Sequence, residues 1–331
     1  MTITPAEHPI FRQFVRYAGG SVQGFSLNFL GQRSNPTFGA ASHPSGQAPI
    51  RRHDPSEAPT IDYPPVSEES FEWIAVLESV LEARETFTMF ELGAGYGRWM
   101  VAAVCAARQK RPDLTFRLVG VEPEPTHFGY MRQHFVDNGL NPEDHHLIEA
   151  AVNATGKKAP FIVGHPEEWY GQAIVPEGFV IEDYPACARV YPTARAIEVP
   201  AVRLDDLLKP YDYVDLIDAD IQGAELDVVT SSIRTMTAKA RRAYISTHSA
   251  DIHSQVAQTF KAAGWMLREI HGWTGEIEQT QFGPISFVDG IQYWLNPMFL
   301  RRLARGFSSK LADCFQARSL RRGRLTPRRK S

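Results

Sequence analysis

The residues best suited to chemistry in this sequence are an acid and three glycines that follow a short apolar run. Phe87–Leu92 is long enough for a buried strand and too short for a helix. Glu91 is the last residue but one of this run, glycines follow at positions 93, 95 and 97, and the alanine-rich segment 99–108 is typical of a buried helix. Glycine has no Cβ and adopts positive φ, so a ligand can lie against its backbone, and the helix start offers unpaired N–H groups. The pattern predicts an α/β site for a nucleotide-type ligand.

The spacing of the glycines separates two such ligands. A dinucleotide site needs Gly-x-Gly-x-x-Gly, and counting from Gly93 the third glycine is replaced by Arg98. Glu91 would instead face the positive amino group of an amino-acid moiety. The motif Glu-x-Gly-x-Gly-x-Gly resembles the first motif of the class I S-adenosylmethionine-dependent methyltransferases. The resemblance assigns these residues to the cofactor: Glu91, Gly93, Ala94, Gly95 and Gly97.

Two further strands are predicted to carry cofactor contacts at their carboxyl ends. Residues 114–122 form an apolar strand that ends in Glu122, a carboxylate placed to accept both hydroxyls of a ribose. Residues 145–152 form the third strand, and an adenine ring would lie against the small residues at its end, Glu149-Ala150-Ala151.

The second informative stretch is a fourth strand, residues 214–219, followed by more acids. Asp218 and Asp220 are two residues apart and share a face of the strand, and carboxylates delivered into a cleft are costly to bury unless they are used. Asp218 is interpreted as a cofactor contact. Glu225, which starts the next helix, is assigned to the substrate.

This stretch resembles the FkbM family of S-adenosylmethionine-dependent O-methyltransferases, whose fourth strand runs Lys-Ile-Asp-Val-Glu-Gly-Ala-Glu. The match comprises Asp220, Gly223, Ala224 and Glu225. Gln222 replaces a glutamate of the family, and Asp218 stands where the family usually has lysine, so any role of that lysine cannot be transferred.

Methyl transfer to a hydroxyl benefits from a base within hydrogen-bond reach. His248, at the end of a fifth strand over 243–248, is the first candidate for a catalytic base, and Asp220 is the second. A divalent metal held by these two residues and Asp218 is an alternative. The interpretation adopted is a site without metal.

The alternation of strands and helices predicts an α/β fold. The resemblance implies a Rossmann-like, doubly wound, mostly parallel seven-stranded sheet, completed by an antiparallel C-terminal hairpin over 285–295 that turns at Asp289–Gly290. The predicted organisation is an N-terminal extension or lid at 1–66, a methyltransferase domain at 67–298, and a basic tail at 299–331.

An insertion over 153–200 interrupts the strand–helix rhythm and is predicted to lie above the site. Trp169, Tyr170 and Gln172 are its candidate substrate contacts, since an aromatic pair could cover a substrate ring. A packing role for Trp169 is an equal alternative.

Composition places the chain among ordinary globular proteins. It has 331 residues, of which 43% are apolar and 22% charged, and it contains no apolar run of about 18 residues. Three scattered cysteines favour neither a disulfide framework nor a metal knuckle, which predicts a cytoplasmic protein. The sequence does not set an oligomeric state.

The net charge of −3 hides a basic C-terminal end. Residues 301–331 contain eleven Arg or Lys and one acid, a local charge of +10, which leaves −13 on the rest of the chain. Such a tail could make weak contact with an anionic membrane surface, or could act as a solvated terminus. Without aromatic residues for base stacking in its last ten positions, it predicts no specific nucleic-acid partner.

The sequence therefore predicts an S-adenosylmethionine-dependent O-methyltransferase that acts on a hydroxyl of a sugar, glycan or secondary metabolite. The substrate class rests on the resemblance. Two alternatives stay open: an NAD-dependent oxidoreductase on a similar sheet, and a non-catalytic adaptor that keeps a methyltransferase-like fold.

Overall fold

Strands and helices alternate through the centre of the chain. The structure is a computed structural model that describes residues 2–38, 60–166, 171–180, 193–272 and 277–299. The strands in these ranges are β1 (Ser26–Leu27), β2 (Arg33–Ser34), β3 (Thr86–Leu92), β4 (Thr115–Val121), β5 (His146–Ile148), β6 (Ala151–Val152), β7 (Ala159–Val163), β8 (Arg195–Val199), β9 (Ala201–Val202), β10 (Leu216–Ala219), β11 (Arg242–Thr247), β12 (Met266–His271), β13 (Ile277–Thr280), β14 (Gly283–Ser286) and β15 (Gly290–Leu295). The α-helices are α1 (Glu69–Leu81), α2 (Arg98–Lys110), α3 (Pro125–Asp137), α4 (Leu204–Leu208), α5 (Glu225–Lys239) and α6 (Ala250–Ala262). Short 3₁₀ helices cover Phe11–Gln13, Pro36–Phe38 and Pro142–Asp144.

Seven strands form the central sheet in the order β12-β15-β11-β10-β3-β4-β5. Strand β15 is antiparallel to both of its neighbours, and the other pairs are parallel. From β3 the chain proceeds through β4 to β5 at one edge, and from β10 it proceeds through β11 towards the other. The predicted doubly wound, Rossmann-like sheet is confirmed.

A separate hydrophobic core covers each face of the sheet. Helices α1, α2 and α3 pack on one face through residues such as Trp73, Met100 and Phe135. Helices α4, α5 and α6 pack on the other, through residues such as Leu207 and Phe260. Because both faces are covered, strands β3, β10 and β11 are buried at nearly every position.

The antiparallel end of the sheet differs in detail from the sequence prediction. Strand β15 pairs with β11 and with β12, which precedes it by a long connection. The segment before the predicted Asp289–Gly290 turn, β14, pairs instead with β13 in a small separate hairpin. The prediction of that turn was wrong, because local turn residues do not reveal which of two apolar strands joins the sheet.

The third predicted strand is divided in two. Strand β5 ends at Ile148 in the central sheet, whereas β6 pairs with β9 outside it. The insertion that follows contains the antiparallel pair β7 and β8. Residues 39–59, part of the predicted lid, and the tail from residue 300 lie outside the described residues.

The N-terminal segment contributes aromatic side chains to the core beside α1. Phe29 is 1% exposed, and its ring centroid lies 5.1 Å from that of Trp73 and 5.3 Å from that of Tyr63. Gln32 donates a hydrogen bond to the carbonyl of Arg98 at 2.9 Å, at the start of α2. The segment therefore packs against the helix that follows the glycine turn.

In the described part of the chain, no helix combines the length and apolar character needed to cross a bilayer.

The buried position of Phe29 gives a first prediction. Phe29→Ala is expected to lower the free energy of unfolding by about 3–5 kcal/mol, because a buried aromatic ring is replaced by a cavity. Urea denaturation followed by circular dichroism measures this. Val15→Ala is the control: Val15 is 74% exposed and should change stability by less than about 0.5 kcal/mol. Equal effects of the two substitutions would show that the N-terminal segment is not part of the core.

Candidate functional site

The site lies where the two halves of the sheet diverge. The chain leaves β3 in one direction and β10 in the other, and ligands of open α/β sheets bind outside the carboxyl ends of strands at such a point. Here the backbone of Gly93 has φ of 73° and approaches the loop after β10 so closely that a Cβ would lie 1.8 Å from the carbonyl oxygen of Asp220. Only glycine fits at this position.

Two clefts open on either side of the glycine turn. The small cleft, with about 570 Å³ of open space, extends towards the end of β4 and the insertion. The large cleft, with about 1030 Å³, extends towards α1, β11 and the start of β15. Both are lined by Gly93, Gly95 and Asp220, so the turn forms a shared wall.

Glu122 forms the centre of the small cleft. It is 5% exposed and accepts hydrogen bonds from the backbone N–H of Gly95 at 2.7 Å and of Glu124 at 2.9 Å. Burial raises the pKa of Glu122 to about 8, against the opposing effect of these two hydrogen bonds. Its carboxyl group is thereby fixed beside the glycine turn, where it can accept hydroxyl hydrogen bonds from a ligand.

Glu91 faces the large cleft and caps α2. Its carboxylate accepts hydrogen bonds from the N–H groups of Met100 at 2.8 Å and Trp99 at 3.3 Å. Burial and the neighbouring charge of Asp218 raise its pKa well above the usual range. The sequence predicts a direct contact with the cofactor, but much of the acceptor capacity of Glu91 serves the helix.

Acids dominate the described lining of the large cleft. They are Glu68, Glu69, Glu72, Glu91, Asp218, Asp220 and Asp289. Arg98 is the single lysine or arginine among the described residues that line this cleft, and its two terminal nitrogens donate to Glu69 at 2.6 and 2.8 Å. The cleft therefore favours cationic groups.

His248 lies in a ring of carboxylates at the carboxyl edge of the sheet. Its Nδ1 is 2.8 Å from Glu225 Oε1, and its Nε2 is 3.3 Å from Asp220 Oδ1 and 3.5 Å from Asp289 Oδ1. Nδ1 hydrogen-bonds with Glu225 Oε1, whereas Nε2 lies near Asp220 and Asp289 without a well-aligned hydrogen bond to either. Although burial opposes the charge, these carboxylates raise the pKa of His248 to about 10. A pKa this far above neutrality favours the protonated ring, whereas the predicted role of base requires the neutral one.

Most of the residues predicted for the cofactor meet at the two clefts. Glu91, Gly93, Ala94, Gly95, Glu122 and Asp218 all line one or both of them. Asp220, the second candidate base, lines both clefts, and its side chain is 46% exposed.

Three cofactor assignments require correction. Gly97 points away from the clefts, and a Cβ there would lie 2.9 Å from Met131 of α3, so it permits helix packing. The side chain of Glu149 is exposed and lies outside both clefts. Ala150 is buried in the core, whereas Ala151, which the sequence also assigned to the adenine, lines the small cleft together with Val152.

Two substrate assignments also change. Glu225 has no exposed surface and lies beneath His248, so it cannot contact a substrate in this arrangement. Gln172 lines the small cleft, as Glu122 does, and not the large one. Trp169 and Tyr170 lie outside the described residues.

Sequence reasoning gave no role in the site to four acids that line the large cleft: Glu68, Glu69, Glu72 and Asp289. Asp289 was identified only as a turn residue. The one available signal was Glu72, an acid among the apolar residues Phe71, Trp73 and Ile74 of α1. In the part of the chain that the structure describes, no group of three or more His, Cys, Asp or Glu has the arrangement of a metal site.

Comparison with known proteins identifies the family. A family model described as the methyltransferase FkbM domain matches residues 91–274, more than half of the chain. The chain belongs to the FkbM methyltransferase family. The matched region begins at Glu91 and includes Glu122, Asp218, Asp220 and His248.

Individual relatives of this family member are distant. A curated protein of Jannaschia sp. (strain CCS1), which carries a provisional methyltransferase name, is 28% identical over 200 residues, covering 59% of this chain and 68% of that protein. A solved FkbM methyltransferase from Methylobacillus flagellatus KT is 14% identical, with a TM-score of 0.36 over 68% of this chain and 54% of that one. A precorrin-6y C5,15-methyltransferase from Geobacter metallireducens GS-15 is 13% identical, with a TM-score of 0.36 over 70% and 89% of the two chains.

The close approach at Gly93 gives a second prediction. Gly93→Ala is expected to lower the free energy of unfolding by more than about 2 kcal/mol, because the added methyl meets the Asp220 carbonyl at a positive φ. Thermal unfolding measures this. Gly129→Ala in α3 is the matched control, since no atom lies within 4 Å of its added Cβ and alanine favours helix. A Gly93 variant as stable as the Gly129 variant would contradict the tight contact.

The carboxylate ring around His248 gives a third prediction. In an NMR titration His248 is expected to titrate near pH 10, and Glu225→Gln should lower that pKa by removing one carboxylate. His253 is an internal control, because burial lowers its pKa. The pKa of His248 in the folded protein lies above its unfolded value of about 6.5. Protonated His248 therefore contributes its full stabilisation of the fold below pH 6.5, and this contribution is lost as the pH rises through about 10. Titration of His248 near neutral pH would exclude the imidazolium.

Proposed function

We propose that this FkbM-family member is an S-adenosylmethionine-dependent O-methyltransferase that acts on a hydroxyl of a sugar, glycan or secondary metabolite. The observation that carries the proposal is the pair of clefts that share Gly93, Gly95 and Asp220. A ligand with a nucleoside at one end and an amino acid at the other would lie across this shared wall.

The residues present suit the two ends of this cofactor. In the small cleft, the fixed carboxyl of Glu122 can accept the ribose hydroxyls, while Ala151 and Val152 offer small apolar surfaces for the adenine. In the large cleft, the buried Oδ2 of Asp218 has no hydrogen-bond partner. A buried acceptor without a donor is costly, and a ligand ammonium group would satisfy it. A Cβ at position 93 would obstruct the wall between the two clefts.

When bound, S-adenosylmethionine supplies a methyl carbon that its sulfonium has already activated. The protein then has to hold the acceptor oxygen in line with that carbon and to exclude water. The acceptor side of the large cleft is formed by Ser246, Asp289 and Ile291, next to Asp220. Binding between these residues and the glycine turn would give the required orientation.

The proton of the acceptor hydroxyl needs a destination, and Asp220 is placed to receive it. Its carboxylate is half-exposed at the junction of the two clefts, within 3.3 Å of His248 Nε2. Methyl transfer would cleave the carbon–sulfur bond of bound S-adenosylmethionine and leave the electron pair of that bond on sulfur, and Asp220 would take the hydroxyl proton and pass it to solvent. His248, held by Glu225, supplies a fixed positive charge that orients Asp220. The prediction that His248 is the base is thus replaced by a positioning role in this proposal.

Cofactor binding is the fourth prediction. In calorimetric titrations at pH 8.5, above the pKa of Glu122, we expect S-adenosylmethionine to bind and Glu122→Gln to weaken binding about 10- to 100-fold. A hydrogen bond to a charged carboxylate contributes about 1.5–3 kcal/mol, which corresponds to that range. Glu149→Gln is the matched control, because the same substitution on an exposed side chain outside the clefts should leave affinity unchanged.

The same titration with NAD separates the alternatives. NAD binding without S-adenosylmethionine binding would favour an oxidoreductase, and the absence of binding by either would favour an adaptor. If S-adenosylmethionine binds, transfer of its labelled methyl group to a panel of sugars and phenols tests O-methylation. Methyl transfer only to nitrogen or carbon acceptors would overturn that part of the proposal.

A further inference from the structure

The floor of the large cleft contains a pair of adjacent carboxyl groups. Glu72 on α1 and Asp218 on β10 line it together, with their side chains within hydrogen-bonding reach of each other. Two ionised carboxylates offer only acceptors, so a hydrogen bond between them requires a proton on one of them. Burial raises the pKa values of both groups; the charge of Asp218 raises that of Glu72 further, whereas the hydrogen bond with Glu72 lowers that of Asp218, which favours a proton held by Glu72 near neutral pH.

Among the described residues that line the cleft, no cation is available to replace this proton. The charged or titratable groups that line the cleft around the pair are Glu68 before α1, Glu69 of α1, Glu91 of β3, Tyr96 of the glycine turn, Arg98 of α2, Asp220 after β10, Tyr244 of β11 and Asp289 before β15. Arg98 is the single cation among them, and Glu69 binds both of its terminal nitrogens. The pair therefore lies in a strongly negative environment that opens to the cleft.

Asp218 has a carboxyl oxygen that receives no hydrogen bond. This residue is 3% exposed, and its Oδ2 has no partner. Across the sheet Asp218 is in register with Glu91 on β3 and Tyr244 on β11, so the three side chains share the face that α1 covers. Glu91 already accepts two hydrogen bonds from α2, which leaves Asp218 as the acceptor without a donor.

We propose that Glu72 and Asp218 form a subsite for the amino group of the cofactor, and that filling it releases the shared proton to solvent. This inference rests on the proposed use of S-adenosylmethionine. An ammonium group has three hydrogen-bond donors. They suffice for Asp218 Oδ2, for the other carboxyl oxygen of Asp218 and for one oxygen of Glu72. Its positive charge replaces that of the proton, so the pair changes from one negative charge to two as the ammonium enters and one proton leaves.

The release of a proton makes binding depend on pH. Below pH 7 the amino group is protonated, since α-amino groups titrate at about 7.7–8.0. In that range the dissociation constant should fall by up to about tenfold for each unit of increasing pH, because each binding event liberates about one proton. If binding releases no proton from the pair, the dissociation constant should not fall with increasing pH in this range for this reason.

The fifth prediction compares two ligands that differ in the amino-acid part. S-adenosylhomocysteine carries the amino group, whereas methylthioadenosine keeps the nucleoside and sulfur but lacks the amino acid. Calorimetry of the full-length protein at pH 6.5, in phosphate and in Tris, gives the number of protons released from the dependence of the binding enthalpy on the buffer. We expect about one proton more for S-adenosylhomocysteine than for methylthioadenosine. Any proton from Glu122 is released with both ligands and cancels in the difference.

Two variants assign that proton. Asp218→Asn and Glu72→Gln should each remove the difference between the ligands, whereas Glu149→Gln on the exposed surface should retain it. If either variant fails to fold or to bind, the wild-type difference and its pH dependence still decide the matter. Equal proton release by the two ligands, or a difference that survives in both variants, would overturn the inference while leaving the cofactor assignment intact. Failure of S-adenosylmethionine to bind at any pH would overturn both.

Discussion

The contact between the Gly93 backbone and the carbonyl oxygen of Asp220 sets the geometry of the site. These residues follow β3 and β10, the two central strands from which the halves of the sheet diverge. A side chain at position 93 would separate the loops, and the wall shared by the two clefts would be lost. The wall also positions Gly95 and Asp220. The carboxyl groups in the two clefts, such as Glu122 and Asp218, therefore keep their relative positions only while Gly93 stays in contact with the Asp220 carbonyl. The requirement for glycine is therefore steric, and it precedes any contact with a ligand.

Burial of negative charge is the second constraint on the site, and the fold meets it in four different ways. The start of α2 donates backbone N–H groups to Glu91, and the glycine turn donates one to Glu122. Arg98 neutralises Glu69 through two hydrogen bonds. His248 carries a positive charge between Glu225, Asp220 and Asp289, and Glu72 shares a proton with Asp218. These devices stabilise most of the buried carboxylates locally, which allows so many acids to lie close together, and they leave Asp218 Oδ2 without a donor.

The chain also shows how one substitution changes the electrostatics of a family fold. Asp218 occupies the position at which the FkbM pattern usually has lysine, so a positive charge is replaced by a negative one at the centre of the sheet. In the structure this residue contacts Glu72 on α1 and lies beside Glu91 on β3. A cationic cofactor would find more negative charge here than a lysine at this position would leave. The same substitution creates the proton-sharing pair, since a lysine would satisfy Glu72 directly.

The sequence alone determined the strand, glycine turn and helix around Gly93, and it placed Glu122, Asp220 and His248 at strand ends. Carboxyl ends of parallel strands meet at one edge of a sheet, so these residues had to come together once the strand order was right. Periodicity, however, gives only the face on which a side chain lies. Packing of α1 over that face decided that Glu72 meets Asp218, and burial decided their protonation. The inaccessibility of Glu225 and the two carboxylate-facing nitrogens of His248 also depend on residues far apart in the chain, because only tertiary packing sets their distances.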